Sequence, residues 1–238
     1  MTDSGSAGSG PGVITDDGSA VELYRRLPAG TEPALIHAAL PAGASILELG
    51  SGAGRITRPL LALGHPVVAV DRSAAMLAEI RDTRTVLADI EDLRLPERFD
   101  AVLFASHLVN EPEHDSRLAM LRTCRHHLRP EGSALIEWHP PAWFDALPAE
   151  VTDDEPERIV EGVGYRWREI RRPSGDLLTA SIEYRLDADR WTRSFSVRKL
   201  IETDLRTYLA HAGLSFAGYL DAEQTWLRAV VPEAERNR

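Results

Sequence analysis

The sequence predicts an α/β chain organised around a doubly wound, mostly parallel sheet, and three observations carry that expectation. Short, continuously apolar segments recur between residues 45 and 138, separated by stretches with helical periodicity. The first, SILEL (45–49), runs straight into a glycine-rich turn, GSGAG (50–54), and from there into an apolar helical stretch. The second ends on an acid, Asp71, 21 residues beyond Gly50. Such runs suit strands buried on both faces by helices.

Taken in order, residues 1–18 are rich in Gly, Ser, Asp and Thr and predict a flexible tail. AVELYRRL places Val21, Tyr24 and Leu27 on one helical face, and EPALIHAALPAG predicts a second short helix stopped by Pro41 and Gly43. Strands are expected at Ser45–Leu49, Pro66–Val70, Thr85–Ala88, Phe99–Ala105 and Ser133–Trp138, with helices at Arg55–Leu63, Ala74–Arg81 and Asp115–Leu128. After Pro148 the pattern changes: the acidic VTDDEPE is followed by three segments of period-two alternation, an antiparallel meander. ETDLRTYLAHAGL then predicts an amphipathic helix ending at Gly213, followed by strands at Ser215–Tyr219 and Thr225–Val231.

Composition narrows the function. A net charge of -10 opposes a general nucleic-acid binder, whose partner rewards a basic face. One cysteine, Cys124, permits no internal disulfide, and the start MTDSGSAGSGPG has neither the basic nor the apolar part of a signal peptide, so a cytoplasmic protein is expected. No apolar run reaches membrane-span length. The histidines and acids form no recognisable metal-ligand spacing, and no metal is expected.

The glycine turn asks for a ligand that approaches backbone closely, and an acid ending the next strand is placed to accept hydrogen bonds from both hydroxyls of a ribose. A dinucleotide site would want G-x-G-x-x-G, with a small third residue opening a phosphate-receiving helix. Here Arg55 fills that position, and the pattern is instead E-x-G-x-G-x-G at Glu48, Gly50, Gly52 and Gly54. Glu48, charged at the end of a buried strand, needs partners, which backbone amides or a ligand's amino group can supply. This segment resembles the first motif of class I S-adenosylmethionine-dependent methyltransferases. Downstream RSAAML, ADIEDLRLPERFDAVLFAS and LRPEGSALIEW resemble further motifs of that family, so the likeness covers roughly residues 20–232.

The resemblance implies a Rossmann-like seven-stranded sheet with its last strand antiparallel, interrupted between the fifth and sixth strands by the meander. It implies S-adenosylmethionine as cofactor, held by Gly50, Gly52 and Gly54, by Glu48, by Asp71 at the ribose with Arg72 beside it, and by Met76 and Ile90 at the adenine. Asp89 would meet the adenine amino group, and Ser106 would stand near the methyl. It also implies residues 19–44 as a helical lid in which Tyr24, with Arg25 or Arg26, reaches the methionine carboxylate. The core would be 45–148 and 200–232, with 149–199 a β cap over the acceptor, as in enzymes that methylate amino groups of sugars and peptides in natural-product pathways.

Catalysis is expected beyond the fourth and fifth strands, where SHLVNEP and WHPPAW supply Ser106, His107, Asn110, His139 and Trp143; His107 and His139 are the candidate bases. His126, His127 and Cys124 read as structural. Arg166, Arg168, Arg193 and Arg198 alternate with apolar cap positions and are expected to face solvent, although an acidic substrate would make one of them a ligand. The expected activity is methyl transfer to nitrogen or oxygen of a small molecule, by a monomer or homodimer. A catalytically silent nucleoside-binding scaffold and an NAD(P)-dependent oxidoreductase remain as alternatives.

Overall fold

The computed structural model describes residues 7–152 and 154–236. After strand β1 (Ala7–Ser9) come helices α1 (Val21–Arg26) and α2 (Glu32–Ala39). The core then alternates β2 (Ile46–Leu49), α3 (Thr57–Ala62), β3 (Val67–Asp71), α4 (Ala74–Leu77), β4 (Arg84–Leu87) and β5 (Phe99–Phe104). A 3-10 turn at Leu108–Asn110 leads to α5 (His114–His127), β6 (Leu128–Glu137) and α6 (Pro141–Asp145). The cap follows as β7 (Arg158–Val160), β8 (Val163–Arg171), β9 (Leu177–Leu186) and β10 (Asp189–Arg198). The chain closes with α7 (Glu202–His211), β11 (Ser215–Tyr219), β12 (Trp226–Val230) and α8 (Glu233–Arg236).

Seven strands form one sheet in the order β11-β12-β6-β5-β2-β3-β4. The β6-β5-β2-β3-β4 pairings are parallel, and β12 enters antiparallel to both β6 and β11. All four residues of β2, at the centre, are buried, and their pleat divides them between two cores. Leu47 and Leu49 join Val102, Phe104, Leu121, Cys124, Leu205 and Leu209 on the α5/α7 side. Ile46 joins Leu103, Ile36 and Leu60 on the α2/α3 side. Helices therefore cover both faces, as continuous apolar strands require. Cys124 is fully buried, its thiol pushed up by burial. His127 is buried too, its Nε2 accepting the Leu95 amide at 2.9 Å and its Nδ1 at 2.8 Å from the Thr123 carbonyl, the structural use expected of it.

The second sheet, β1-β10-β9-β8-β7, is antiparallel throughout. The expected three-stranded meander thus gains a short strand at each edge. One of them, β1, lies inside the tail expected to be flexible. Ala7, Gly8 and Ser9 pair with Ser194, Arg193 and Thr192, Ile14 bridges to Ala20, and the Trp191 indole donates to the Pro11 carbonyl at 2.9 Å. The expectation fails from Ala7 onward because an open sheet edge offers backbone partners to a chain with little apolar surface. No described helix is long and apolar enough to cross a membrane.

Candidate active site

The Gly50–Gly54 turn joins the carboxyl end of β2 to α3, where open parallel sheets receive ligands. Gly50, Gly52 and Gly54 have φ of 71°, 54° and 81°, a left-handed backbone that other residues adopt only with strain. A Cβ on Gly52 would meet nothing within 4 Å, so that backbone faces open space, whereas a Cβ on Gly50 would lie 2.7 Å from Leu108 Cδ1. The Ser51 hydroxyl is buried without a hydrogen-bond partner. Arg55 leaves this space: its guanidinium donates to Glu32 Oε1 at 2.8 Å and to the Ala29 carbonyl, fastening the turn to the start of α2.

Two carboxylates flank the turn. Glu48 is 2% exposed and accepts a 2.6 Å hydrogen bond from the Thr57 hydroxyl, and burial pushes its pKa up to about 7. Asp71 closes β3; its Oδ2 accepts the Gly52 amide and its Oδ1 the Ser73 amide, each at 2.8 Å. Burial raises its pKa against those two bonds. A carboxylate has about four lone-pair sites, so Asp71 holds the turn and still has acceptors to offer. Beyond it Met76 is buried on Ala53 and Val21, Ile90 packs half-buried on the core, and Asp89 is exposed 3.4 Å from the equally exposed Arg72. Asp71 holds the Gly52 amide, Met76 packs with Ala53, and Ile90 Cδ1 lies 3.8 Å from where a Gly50 Cβ would be, so these side chains gather at the glycine turn, while Arg72 and Asp89 are exposed.

The ends of β5 and β6 form the second part. Ser106 and His107 both hold left-handed φ, 58° and 57°, which turns the chain back toward β6. The Ser106 amide donates to Glu137 Oε2 at 2.7 Å, and Glu137 Oε1 lies 3.6 Å from His107 Nε2. Glu137 was missed in the sequence. It is 8% exposed and ends β6, much as Glu48 stands one residue before the end of β2. Burial draws the His107 pKa below the usual imidazole range against the pull of Glu137. His107 stacks on His139 at 3.6 Å and 23°, and His139 stacks on Trp143 at 3.7 Å and 11°. Burial, with His107 adding to it, takes His139 down to about 2. Of the two expected bases, His139 is a neutral stacking ring at any physiological pH, and only His107 has a carboxylate, Glu137, beside it to favour its protonated form.

Asn110, fully buried, locks this arrangement. Its Oδ1 accepts the His139 amide at 2.8 Å and its Nδ2 donates to the Arg198 carbonyl at 2.9 Å, joining the end of β6 to the end of the cap.

The remaining sequence candidates meet at α1. Tyr24 packs on Ala53 and Met76 beside the glycine turn, and its hydroxyl receives a 2.8 Å hydrogen bond from Arg193 Nη1. Arg25 and Arg26 do not accompany it: Arg25 pairs with Glu22, and Arg26 with Asp187 and Asp189 of the β9–β10 turn, each at 2.7 Å. Nor does Arg193 face solvent as expected. It shares the inward side of β10 with Trp191, Phe195 and Val197, two residues apart in turn, so the pleat that buries Trp191 carries Arg193 inward too. Arg166 and Arg198 are half-buried and Arg168 is exposed on Glu183. Among the described residues, no group of three or more His, Cys, Asp or Glu could hold a metal.

A turn of three left-handed glycines between a buried strand-end glutamate and a second-strand aspartate agrees with a family model: residues 46–132 match the methyltransferase domain. Over this stretch the chain is similar to methyltransferases. Its curated relatives include the cypemycin N-terminal methyltransferase of a Streptomyces species, 33% identical over 109 residues, 43% of this chain and 44% of that protein. An uncharacterized methyltransferase of Mycobacterium bovis is 35% identical over 130 residues, 51% of each chain. The chain spans about half the length of the curated relatives it matches. Similarity of fold reaches further. A sugar N-methyltransferase of Streptoalloteichus shares a TM-score of 0.72 at 20% identity, covering 94% of this chain and 98% of that one. An amino pentose methyltransferase of Micromonospora echinaspora, solved with S-adenosylmethionine bound, shares 0.67 at 20% identity, covering 89% and 94%. The likeness of fold thus extends beyond residues 46–132 to most of the chain.

Proposed function

We propose that this chain transfers the methyl group of S-adenosylmethionine to a nitrogen or oxygen of a small-molecule acceptor. The observation that carries the reading is the Gly50–Gly54 turn, open above Gly52 and set between Glu48 and Asp71. A nucleoside fits it: Asp71 keeps lone pairs for a ribose, Met76 and Ile90 offer the base an apolar wall, and Glu48 with the unpartnered Ser51 hydroxyl can receive an amino-acid end. Asp89, exposed at the rim, is assigned the adenine amino group, with Arg72 beside it. The sulfonium cofactor supplies an electrophilic methyl whose transfer discharges the positive sulfur, which leaves the protein to position the acceptor, exclude water and take a proton.

His107 is the group assigned to the proton. Its depressed pKa keeps the imidazole neutral near pH 7, the form that accepts, and Glu137 at 3.6 Å stabilises the imidazolium that results. His139 and Trp143 hold the ring by stacking and move no proton. Residues 19–44 act as a lid through α1, residues 149–199 roof the acceptor, and Ser106 borders the methyl. The sugar and amino pentose named for the methyltransferases above support a small-molecule acceptor. Calorimetric titration with S-adenosylmethionine, S-adenosylhomocysteine and NADH tests the reading: micromolar binding of both sulfur nucleosides without NADH supports it, and binding of neither overturns it.

A further inference from the structure

A run of side-chain contacts links the ends of β5 and β6 to the cap and back to α1. From His107 the stack passes through His139 to Trp143; Trp143 meets Trp167 edge-on at 6.3 Å, and Trp167 meets Phe195 at 6.4 Å. The Arg193 guanidinium lies 5.9 Å from the Phe195 ring and 5.9 Å from the ring of Tyr24, which returns the run to the glycine turn. In this sequence of rings Arg193 is the one permanent charge.

Its donors are only partly used. Nη1 is spent on Tyr24 at 2.8 Å, Nη2 has Asp17 no nearer than 3.5 Å, and Nε is buried with no partner. Asp17 is itself engaged by the Thr15 hydroxyl and by the Ser19 amide and hydroxyl. The underused edge, Nε with Nη2, is the edge that grips a carboxylate through two parallel hydrogen bonds. The side chain is 29% exposed and its ion pair with Asp17 is long, so a partly buried guanidinium with an underused edge gains from a closer anion. At the other end of this run of rings stand His107 and Glu137, 3.6 Å apart, the groups assigned to the methyl-accepting end.

We infer that the acceptor carries a carboxylate, and that Arg193 receives it on the inner face of the cap while the methyl-accepting atom lies at His107 and Glu137. The inference rests on the methyl-transfer reading for the word acceptor, but the anion site stands on Arg193's own geometry.

The test compares phenylacetate with its neutral isostere phenylacetamide, titrated into the full chain with and without saturating S-adenosylhomocysteine. The wild type should bind phenylacetate at least about tenfold more tightly than the amide, Arg193→Gln should abolish the difference, and Arg193→Lys, which keeps the charge without the fork, should retain part of it. Absence of phenylacetate binding, equal binding of the pair, or a preference surviving in Arg193→Gln would overturn the site. A second arm identifies whose carboxylate is bound, using S-adenosylhomocysteine and 5′-methylthioadenosine, which lacks the amino-acid end. An Arg193→Gln protein with unchanged affinity for both supports the acceptor; a loss confined to S-adenosylhomocysteine gives Arg193 to the cofactor and overturns the inference. Failure of the wild type to bind S-adenosylhomocysteine sinks the methyl-transfer reading alone, because the phenylacetate comparison without nucleoside still reports on Arg193.

Discussion

Replacing Glu48 with Gln should make the protein more stable, increasingly so as pH rises. The carboxyl is 2% exposed, its one hydrogen bond is donated by Thr57, and its pKa stands at about 7 against an ordinary 4.5. Folding therefore favours the protonated acid. Its contribution is fully present below the unfolded value and is lost as pH rises through the folded one. The gap corresponds to about 3 kcal/mol between roughly pH 4.5 and pH 7.5. Gln is nearly isosteric and still accepts from Thr57, so the variant avoids the cost of ionisation without opening a cavity. Urea unfolding of both proteins at several pH values between about 5 and 8 reads the difference directly, since the other titrating groups cancel. The stability difference should widen with pH by up to about 3 kcal/mol. A difference that stays flat over that range would refute the argument that Glu48 is held protonated by burial. The same reasoning gives a binding signature: a cofactor ammonium reaching Glu48 draws its proton off, so titration near pH 6 should release a proton in the wild type and not in Glu48→Gln.

Asp71→Ala should weaken S-adenosylhomocysteine binding by about 1.5 to 3 kcal/mol, the worth of hydrogen bonds to a charged group, and calorimetry showing unchanged affinity would remove Asp71 from the site. His107→Ala should lower turnover with a natural acceptor while leaving nucleoside affinity intact, and equal loss of both would mean structural damage instead. Asn110→Ala strips partners from the His139 amide and the Arg198 carbonyl, a cost of about 2 to 4 kcal/mol. Scanning calorimetry should show a melting temperature lower by about 5 to 10 °C, and a change within a degree would mean that Asn110 does not lock cap to core.

The parallel core was legible because its strands are short apolar runs whose register leaves no polar alternative: ILEL, VVAV and AVLF can only be buried on both faces. The glycine turn was legible because three glycines at alternate positions have no use in an ordinary turn. Glu137 carries a signal like that of Glu48, an acid at the end of an apolar strand, but ALIEW has no glycine turn after it to mark a ligand site. As one of a group of arginines alternating with apolar residues, Arg193 reads as outward-facing. Counting by twos from Trp191 puts it inward, since Trp191, Arg193, Phe195 and Val197 share one side of the pleat.

The N-terminal segment was misread for a deeper reason. Glycine has two uses, as a source of freedom and as a residue that occupies almost no space, and composition cannot tell them apart. Here the second use governs. A Cβ on Gly8 would collide with the Gly18 carbonyl, and one on Gly10, at φ 130°, would collide with the Trp191 indole. These glycines let the chain close on itself and lie flat against the cap, where β1 adds its backbone to β10. That placement delivers α1 to a joint position: Ala20 and Leu23 pack on Trp191 of the cap, while Val21 and Tyr24 pack on Ala53 and Met76 of the cofactor side. Arg26, paired with Asp187 and Asp189, fixes the helix to the cap from outside. Moving α1 away from the glycine turn would therefore also part Tyr24 from Arg193. One six-residue helix thus ties the side chains proposed for the acceptor to the turn proposed for the cofactor, and the glycine-rich segment before it makes that attachment sterically possible.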